Sequence, residues 1–150
     1  MTLPPAPFGR ETIESIIPHR PPFLLLDEVL ELEPGRRVRG RFAVPADGWW
    51  FRGHFPGRPV MPGVLTVEAV AQCGAVAVLA HEANRGRIPF FAGIDDCRFK
   101  RLVGPDDVLE LECEFVRVRG ALAKGRGRAS VDGRVAAEAV LTVVVGGEPQ

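Results

Sequence analysis

Residues Pro62 to Asn84, "PGVLTVEAVAQCGAVAVLAHEAN", limit the folds open to this chain more than any other stretch. Proline sits near the first turn and Gly86 lies just past the end, so the run reads as one helix, about 34 Å long at 1.5 Å per residue. Val64, Leu65, Val67, Val70, Val76, Val78 and Leu79 stand among alanines and go nearly all round it. A helix that is apolar on every side must be buried. A membrane span is the rival reading, and Glu68, Gln72 and His81 are the residues that speak against it. The rest of the chain therefore has to enclose this helix.

What remains reads mostly as strands. "ETIESII", Glu11 to Ile17, suggests a short helix ended by Pro18, because the residue before a proline avoids the helical region. "FLLLDEVLEL" from Phe23 and "RRVRGRFAV" from Arg36 flank a loop of hairpin length, and the second run alternates. Val38, Gly40 and Phe42 fall on one face, Arg37, Arg39 and Arg41 on the other. Beyond the helix lie "FFAGIDDCRFK", "DVLELECEFVRV", "GALAKGRGRASV" and "RVAAEAVLTVVV", and Asp132-Gly133 joins the last two as a tight hairpin. The expected class is α+β: one long buried helix wrapped by a mostly antiparallel sheet of about six strands.

A chain of 150 residues suits one domain spanning 1–150. Basic and acidic residues balance at 19 each, so no global charge recruits nucleic acid or a membrane surface. The N-terminus shows no basic segment followed by an apolar one, which favours a cytoplasmic protein. Cys73, Cys97 and Cys113 are odd in number and lack Cys-x-x-Cys spacing, so they read as three free, buried thiols. The three histidines, His19, His54 and His81, have no metal spacing, and neither a metal nor a cofactor is expected. His19 reads as a loop residue and His81 as a late helix residue that suits the macrodipole.

Chemistry concentrates in "FRGHFPGRPVMPGVLTVEAVAQCG", Phe51 to Gly74. Gly53, Pro56, Gly57, Pro59, Pro62 and Gly63 stiffen the backbone around His54, and rigidity is what a positioned base needs. Glu68 falls on the first turns of the buried helix, where burial raises a carboxyl pKa and makes an acid near neutral pH. Gln72, four residues on, shares its face and can hydrogen-bond the carboxyl. Gly63 lies where the loop enters the helix, whose first amides are ready donors for a developing oxyanion. Each residue alone has a structural explanation. Together they suit proton removal beside a thioester carbonyl with loss of a β-hydroxyl, and they suit hydrolysis nearly as well; spacing does not choose.

"PHRPPFLLLDEV", "FRGHFPGRPVMPGVLTVEAVAQ" and "FAGIDDCRFKRLVGPDDVLEL" resemble the best-marked segments of the (3R)-3-hydroxyacyl-ACP dehydratases of bacterial type II fatty acid synthesis. The resemblance runs from about Ile16 to the C-terminal strand. It implies the hotdog fold and dehydration of (3R)-3-hydroxyacyl-ACP to trans-2-enoyl-ACP. It also implies that His54 removes the α-proton and that Glu68 is the partner of the departing hydroxyl. The Gly63 amide would polarise the thioester carbonyl and the Val60 carbonyl would orient the histidine ring. Glutamate at position 68, where the isomerising sister enzyme has aspartate, points to the non-isomerising type. The implied assembly is a homodimer with shared active sites, His54 meeting Glu68 of the other subunit, in a trimer of dimers, with acyl carrier protein as partner.

Two departures stand out. Many relatives have tyrosine where this chain has Pro21, and this chain has no tyrosine, so Phe90 or Phe91 is expected to stand in at the acyl tunnel. Trp49 and Trp50 precede the motif and are expected at a subunit contact. Arg98, Lys100 and Arg101, and the alternating Lys124, Arg126 and Arg128, are either a solvated strand face or a docking patch for the acidic carrier. An acyl thioesterase of the same fold and a non-catalytic acyl-binding module are the alternatives.

Overall fold

In the computed structural model, which describes residues 2–147, the chain runs β1 (Phe8–Gly9), α1 (Arg10–Ile16), β2 (Glu28–Glu33), β3 (Arg37–Ala43), α2 (Gly63–Ala80), β4 (Ile88–Phe99), β5 (Val108–Arg119), β6 (Leu122–Val131) and β7 (Arg134–Gly146). A short 3-10 turn, Glu82–Asn84, follows α2. The strands form one sheet in the order β1-β2-β3-β5-β6-β7-β4, and every neighbouring pair described is antiparallel. Six of these strands were expected; the seventh is the two-residue β1. The sheet curls around α2, fourteen of whose eighteen residues are buried.

By length and composition alone α2 is apolar enough to cross a membrane. Its burial inside the sheet is what accounts for that composition, more decisively than the few polar residues along it. The alternation read for β3 holds, with Val38, Gly40 and Phe42 buried and Arg37 and Arg41 exposed. Leu109, Leu111, Ala129 and Leu141 face the helix from the neighbouring strands with almost no exposure. Each such leucine or valine stabilises the fold by about 1.5–3 kcal/mol relative to solvent exposure.

The helix stops earlier than expected. Its last carbonyls find partners outside the helix: the Gly35 amide donates to Ala77 at 2.8 Å and the Asn84 side-chain amide to Val78 at 3.3 Å. Gly35, at φ 77° in the β2–β3 turn, supplies the left-handed backbone that aims its N–H at the helix end. His81 lies just beyond the helix, and its Nδ1 accepts from the Ala83 amide at 3.4 Å, so it caps the following turn. The Asp132-Gly133 hairpin is as expected, with both residues at positive φ.

Strand β2 begins at Glu28, five residues later than expected, because Leu24, Leu25 and Leu26 are all buried in succession. A strand beside a solvated face cannot bury three neighbours in a row. Residues 17–27 instead form an irregular loop. Arg20 ties it to α1 by donating to the carbonyls of Ile17, His19 and Glu14 at 2.8–2.9 Å. Trp50 is buried in the core, packed edge-on against Trp49 and tilted over Phe51, so it is unavailable for the subunit contact expected of it. Trp49 is half exposed and donates to the Pro22 carbonyl at 3.2 Å.

Close approach of helix and sheet rests on small residues. A Cβ at Gly40 would lie 2.8 Å from both the Glu28 carbonyl oxygen and Leu26 Cδ1, and 3.1 Å from Cys73 Sγ. Backbone on one side and packed core on the other leave it nowhere to go. Gly40→Ala is therefore expected to destabilise the fold by about 1–3 kcal/mol. Urea unfolding measures this, and an unchanged midpoint would contradict the close packing.

Candidate active site

His54 is held by a loop that hydrogen-bonds to itself. The Phe55 and Arg58 amides and carbonyls exchange bonds of 2.9 Å across a turn with Gly57 at φ 73°. The Val60 amide donates to the His54 carbonyl at 2.9 Å, and the Met61 amide anchors the end of the loop to Val103 at 2.7 Å. The imidazole lies over the Phe55 ring, and its Nδ1 is 2.8 Å from the Val60 carbonyl oxygen. A carbonyl only accepts, so in the neutral ring Nδ1 carries the proton and Nε2 carries the lone pair. The loop thus selects one tautomer, with Nε2 able to accept a proton.

Glu68 and Gln72 are brought together on α2. The Gln72 amide nitrogen donates to Glu68 Oε1 at 3.0 Å and to the Phe23 carbonyl at 2.8 Å, while its oxygen accepts from the Leu25 amide at 2.7 Å. One almost fully buried side chain therefore fixes the carboxyl and pins the 17–27 loop against the helix. Burial raises the Glu68 pKa, and the Gln72 hydrogen bond opposes that in part. Both effects follow from placing a carboxyl on an enclosed helix.

The pinned loop also carries His19 to the site. Its Nε2 lies 3.6 Å from Glu68 Oε1. Spacing did not reveal this residue, because it is nearly fifty positions from Glu68 and meets it only through the loop that Gln72 holds. Its presence in "PHRPPF" was the available sign. Burial, and then the Arg20 charge, push the His19 pKa down and so favour the neutral imidazole.

Glu68, Gln72 and His19 share a pocket of about 70 Å³ with Pro89, Phe90, Phe91 and Val143. The two tunnel candidates thus lie beside the carboxyl. His54 and Val60 are not among the residues lining this pocket. The pocket is also far smaller than the roughly 300–1,000 Å³ of ordinary ligand sites. Gly63 opens α2, and a Cβ there would sit 2.7 Å from the Phe99 ring, so glycine permits the close contact at the helix N-terminus.

Of the basic candidates, Lys100, Arg101 and Arg128 are ion-paired within the chain. Lys100 meets Glu138 at 2.9 Å, Arg101 meets Asp107 at 3.1 Å, and Arg98 stands opposite Glu138 in the β4–β7 register. Arg128 pairs with Glu112 at 2.8 Å. Successive strands place Glu31, Arg39, Glu112, Arg128, Glu138 and Arg98 in one alternating row across the outer face. A groove of about 420 Å³ is lined by this charged face, including Arg37, Glu114 and Arg126, and holds none of the acid-base candidates. Lys124 and Arg126 are exposed. Of the thiols, Cys73 and Cys113 are buried, with Cys113 pushed up to about 12 by burial; Cys97 is only partly buried, correcting the expectation of three buried thiols.

One long helix enclosed by a curled antiparallel sheet, with these groups at the start of the helix, defines a hotdog protein. The family model described as "FabA-like domain" matches residues 17–140. A 3-hydroxyacyl-[acyl-carrier-protein] dehydratase FabZ of Bacillus cereus (strain AH820) is 59% identical over 91% of this chain and 94% of its own length. The FabZ of Bacillus thuringiensis (strain Al Hakam) is 58% identical with the same coverage. The chain belongs to the FabA-like family, as a FabZ-type member. Among solved structures, the dehydratase heterocomplex ApeI:P from Xenorhabdus doucetiae aligns with TM-score 0.77 at 19% identity over 91% of each chain. A hypothetical thioesterase with coenzyme A from Streptococcus pneumoniae TIGR4 aligns with TM-score 0.62 at 16% identity, covering 82% of this chain and 88% of its own. At such identities these two share the fold.

The buried carboxyl has a consequence for stability. A raised Glu68 pKa means that the native state binds this proton more tightly than the unfolded chain does. The Glu68 contribution to stability therefore falls as pH rises from the ordinary carboxylate range through its raised value. Glu68→Gln, neutral at every pH, is expected to be more stable than the parent above that window, with the gain shrinking as pH falls below it. Thermal unfolding across pH 3 to 8 measures the difference, and a gain independent of pH would contradict a raised Glu68.

Proposed function

We propose that the protein dehydrates (3R)-3-hydroxyacyl-ACP to trans-2-enoyl-ACP in the fatty acid elongation cycle. The observation that carries this reading is the geometry of two groups: a histidine whose Nδ1 is fixed on the Val60 carbonyl, which leaves Nε2 to accept a proton, and a buried carboxyl held by Gln72, whose pKa burial raises. Identity of 58–59% to FabZ dehydratases supports it. His54 Nε2 takes the proton from C2, and the electrons pass towards the thioester carbonyl, where the Gly63 amide stabilises the developing charge. The C3–O bond then breaks, and the hydroxyl leaves as water with a proton from Glu68. The C2–C3 double bond forms, and return of the His54 proton to Glu68 restores the starting state. Phe90 and Phe91 border the acyl chain.

The site is shared between two subunits in this reading. The small pocket beside Glu68 is not lined by His54, and β4 lies at the end of the sheet order with Phe90, Phe91 and Ile94 exposed along it. Edge-to-edge pairing of β4 with a second copy would cover these residues and satisfy the free edge. A trimer of such dimers, with half-exposed Trp49 at the further contact, is the assembly we infer. A cytoplasmic location goes with this reading, as does delivery of substrate by an acidic carrier near Arg98, Lys100 and Arg101, the last two of which are ion-paired to Glu138 and Asp107.

Absorbance of the enoyl thioester tests the reaction. Reversible hydration is expected, while release of free thiol would instead identify a thioesterase, and neither signal a binding module. The shared site is tested by mixing His54→Ala with Glu68→Ala, both inactive, and exchanging subunits by mild denaturation and refolding. Half the dimers are then mixed and each has one intact site, so about a quarter of parental activity should return. Confirmed exchange without activity would place the pair within one chain. Carrier docking is tested by Arg98→Glu, expected to slow acyl-ACP turnover while sparing acyl-CoA; equal loss on both would refute it.

A further inference from the structure

Two side chains converge on one oxygen of Glu68. Oε1 accepts from the Gln72 amide at 3.0 Å, and the same oxygen is the one that faces His19 Nε2 at 3.6 Å. His19 is itself held rigidly: Arg20 donates to the His19 carbonyl at 2.8 Å and to Ile17 and Glu14 beside it, and Gln72 fastens the loop further on at Phe23 and Leu25. His19, Glu68 and Gln72 line the same pocket.

The ring nitrogens of His19 are not equivalent. Nδ1 is buried and makes no hydrogen bond among the described residues. A proton on Nδ1 would bury a donor with no acceptor, whereas a proton on Nε2 directs it towards the Glu68 oxygen. In the neutral ring, the form that burial favours, the proton therefore belongs on Nε2. At 3.6 Å the contact is longer than a direct hydrogen bond, and catalytic hydrogen bonds are often long without substrate and tighten in the reacting complex.

We propose that His19 is a positioning residue for the Glu68 carboxyl, donating through Nε2–H to Oε1 beside Gln72, so that the acidic proton resides on Oε2. An oxygen that accepts from two N–H donors is a poor place for a proton, since an O–H there would point at donors with no lone pair to offer. Two donors on Oε1 thus choose the orientation of the acid as well as its place. His54 is oriented by the Val60 carbonyl; His19 and Gln72 do the corresponding work for the carboxyl. The inference rests on the reading of Glu68 as the proton donor to the departing hydroxyl.

Three variants of the full-length protein separate this role from packing. His19→Ala removes the donor, His19→Phe keeps ring volume without it, and His19→Gln offers an amide N–H near the place of Nε2. With a 3-hydroxyacyl thioester as substrate, Ala and Phe are expected to lower kcat roughly tenfold or more with KM changed less than about threefold. Gln is expected to recover most of kcat. In a Glu68→Gln background, His19→Phe should have no further effect on the residual rate. Phe matching the parent, Gln no better than Phe, or a rise in KM at constant kcat would each overturn the proposal. If His19→Ala does not fold, by thermal unfolding, the Gln and Phe pair decides. Glu68→Gln at full parental rate would remove the reading of Glu68 itself, a failure distinct from any result at His19 in the parental background.

Discussion

Burial of α2 is the constraint on which the rest of the structure depends. An apolar helix with no solvent face requires cover all round, and one curled sheet provides it while satisfying its own backbone in antiparallel ladders. Helix and sheet approach closely only where side chains are small, as at Gly40 and Gly74, so the packing that encloses the helix also dictates much of the local sequence. The helix ends where atoms from outside it, the Gly35 amide and the Asn84 side chain, reach its last carbonyls.

Such burial makes every polar residue on the helix consequential. Gln72 is almost fully enclosed and must satisfy its amide, and it does so with the Phe23 and Leu25 backbone and the Glu68 carboxyl. One residue thereby couples core packing, the course of the 17–27 loop and the setting of an acid. Enclosure has a cost at Glu68, because burial raises the carboxyl pKa and so disfavours its charged form. The histidine loop solves the opposite problem: it is mostly exposed, and it relies on its own backbone bonds for stiffness.

Charge on the outer face has a different logic. The row from Glu31 to Arg98 alternates in sign strand by strand, so basic residues that look clustered along the sequence are dispersed among carboxylates in space. Exposed pairs of this kind contribute little each, about 0–1 kcal/mol, and opposite charges facing each other across neighbouring strands favour this register. Strand β4, at the end of the sheet order, exposes apolar side chains instead, among them Phe90, Phe91 and Ile94.

By itself the sequence determined the elements and the chemistry that local rules govern. Hydrophobicity on all sides of residues 62–84 specified a buried helix, although the helix itself ends at Ala80; period-two alternation specified β3, and Asp132-Gly133 specified its hairpin, because each signal is carried by neighbouring residues. The Gln72 to Glu68 bond was legible for the same reason, being four residues apart on one helix. Only the tertiary structure decided the rest. Leu24 to Leu26 read as strand because local hydrophobicity is high, yet their common burial and the Gln72 anchors make that segment a loop. Trp50 became core and Lys100 and Arg101 became ion-paired through contacts with other segments. His19 reached Glu68 for a like reason: proximity between residues distant in sequence is set by how the chain closes around its helix, and no spacing rule encodes it.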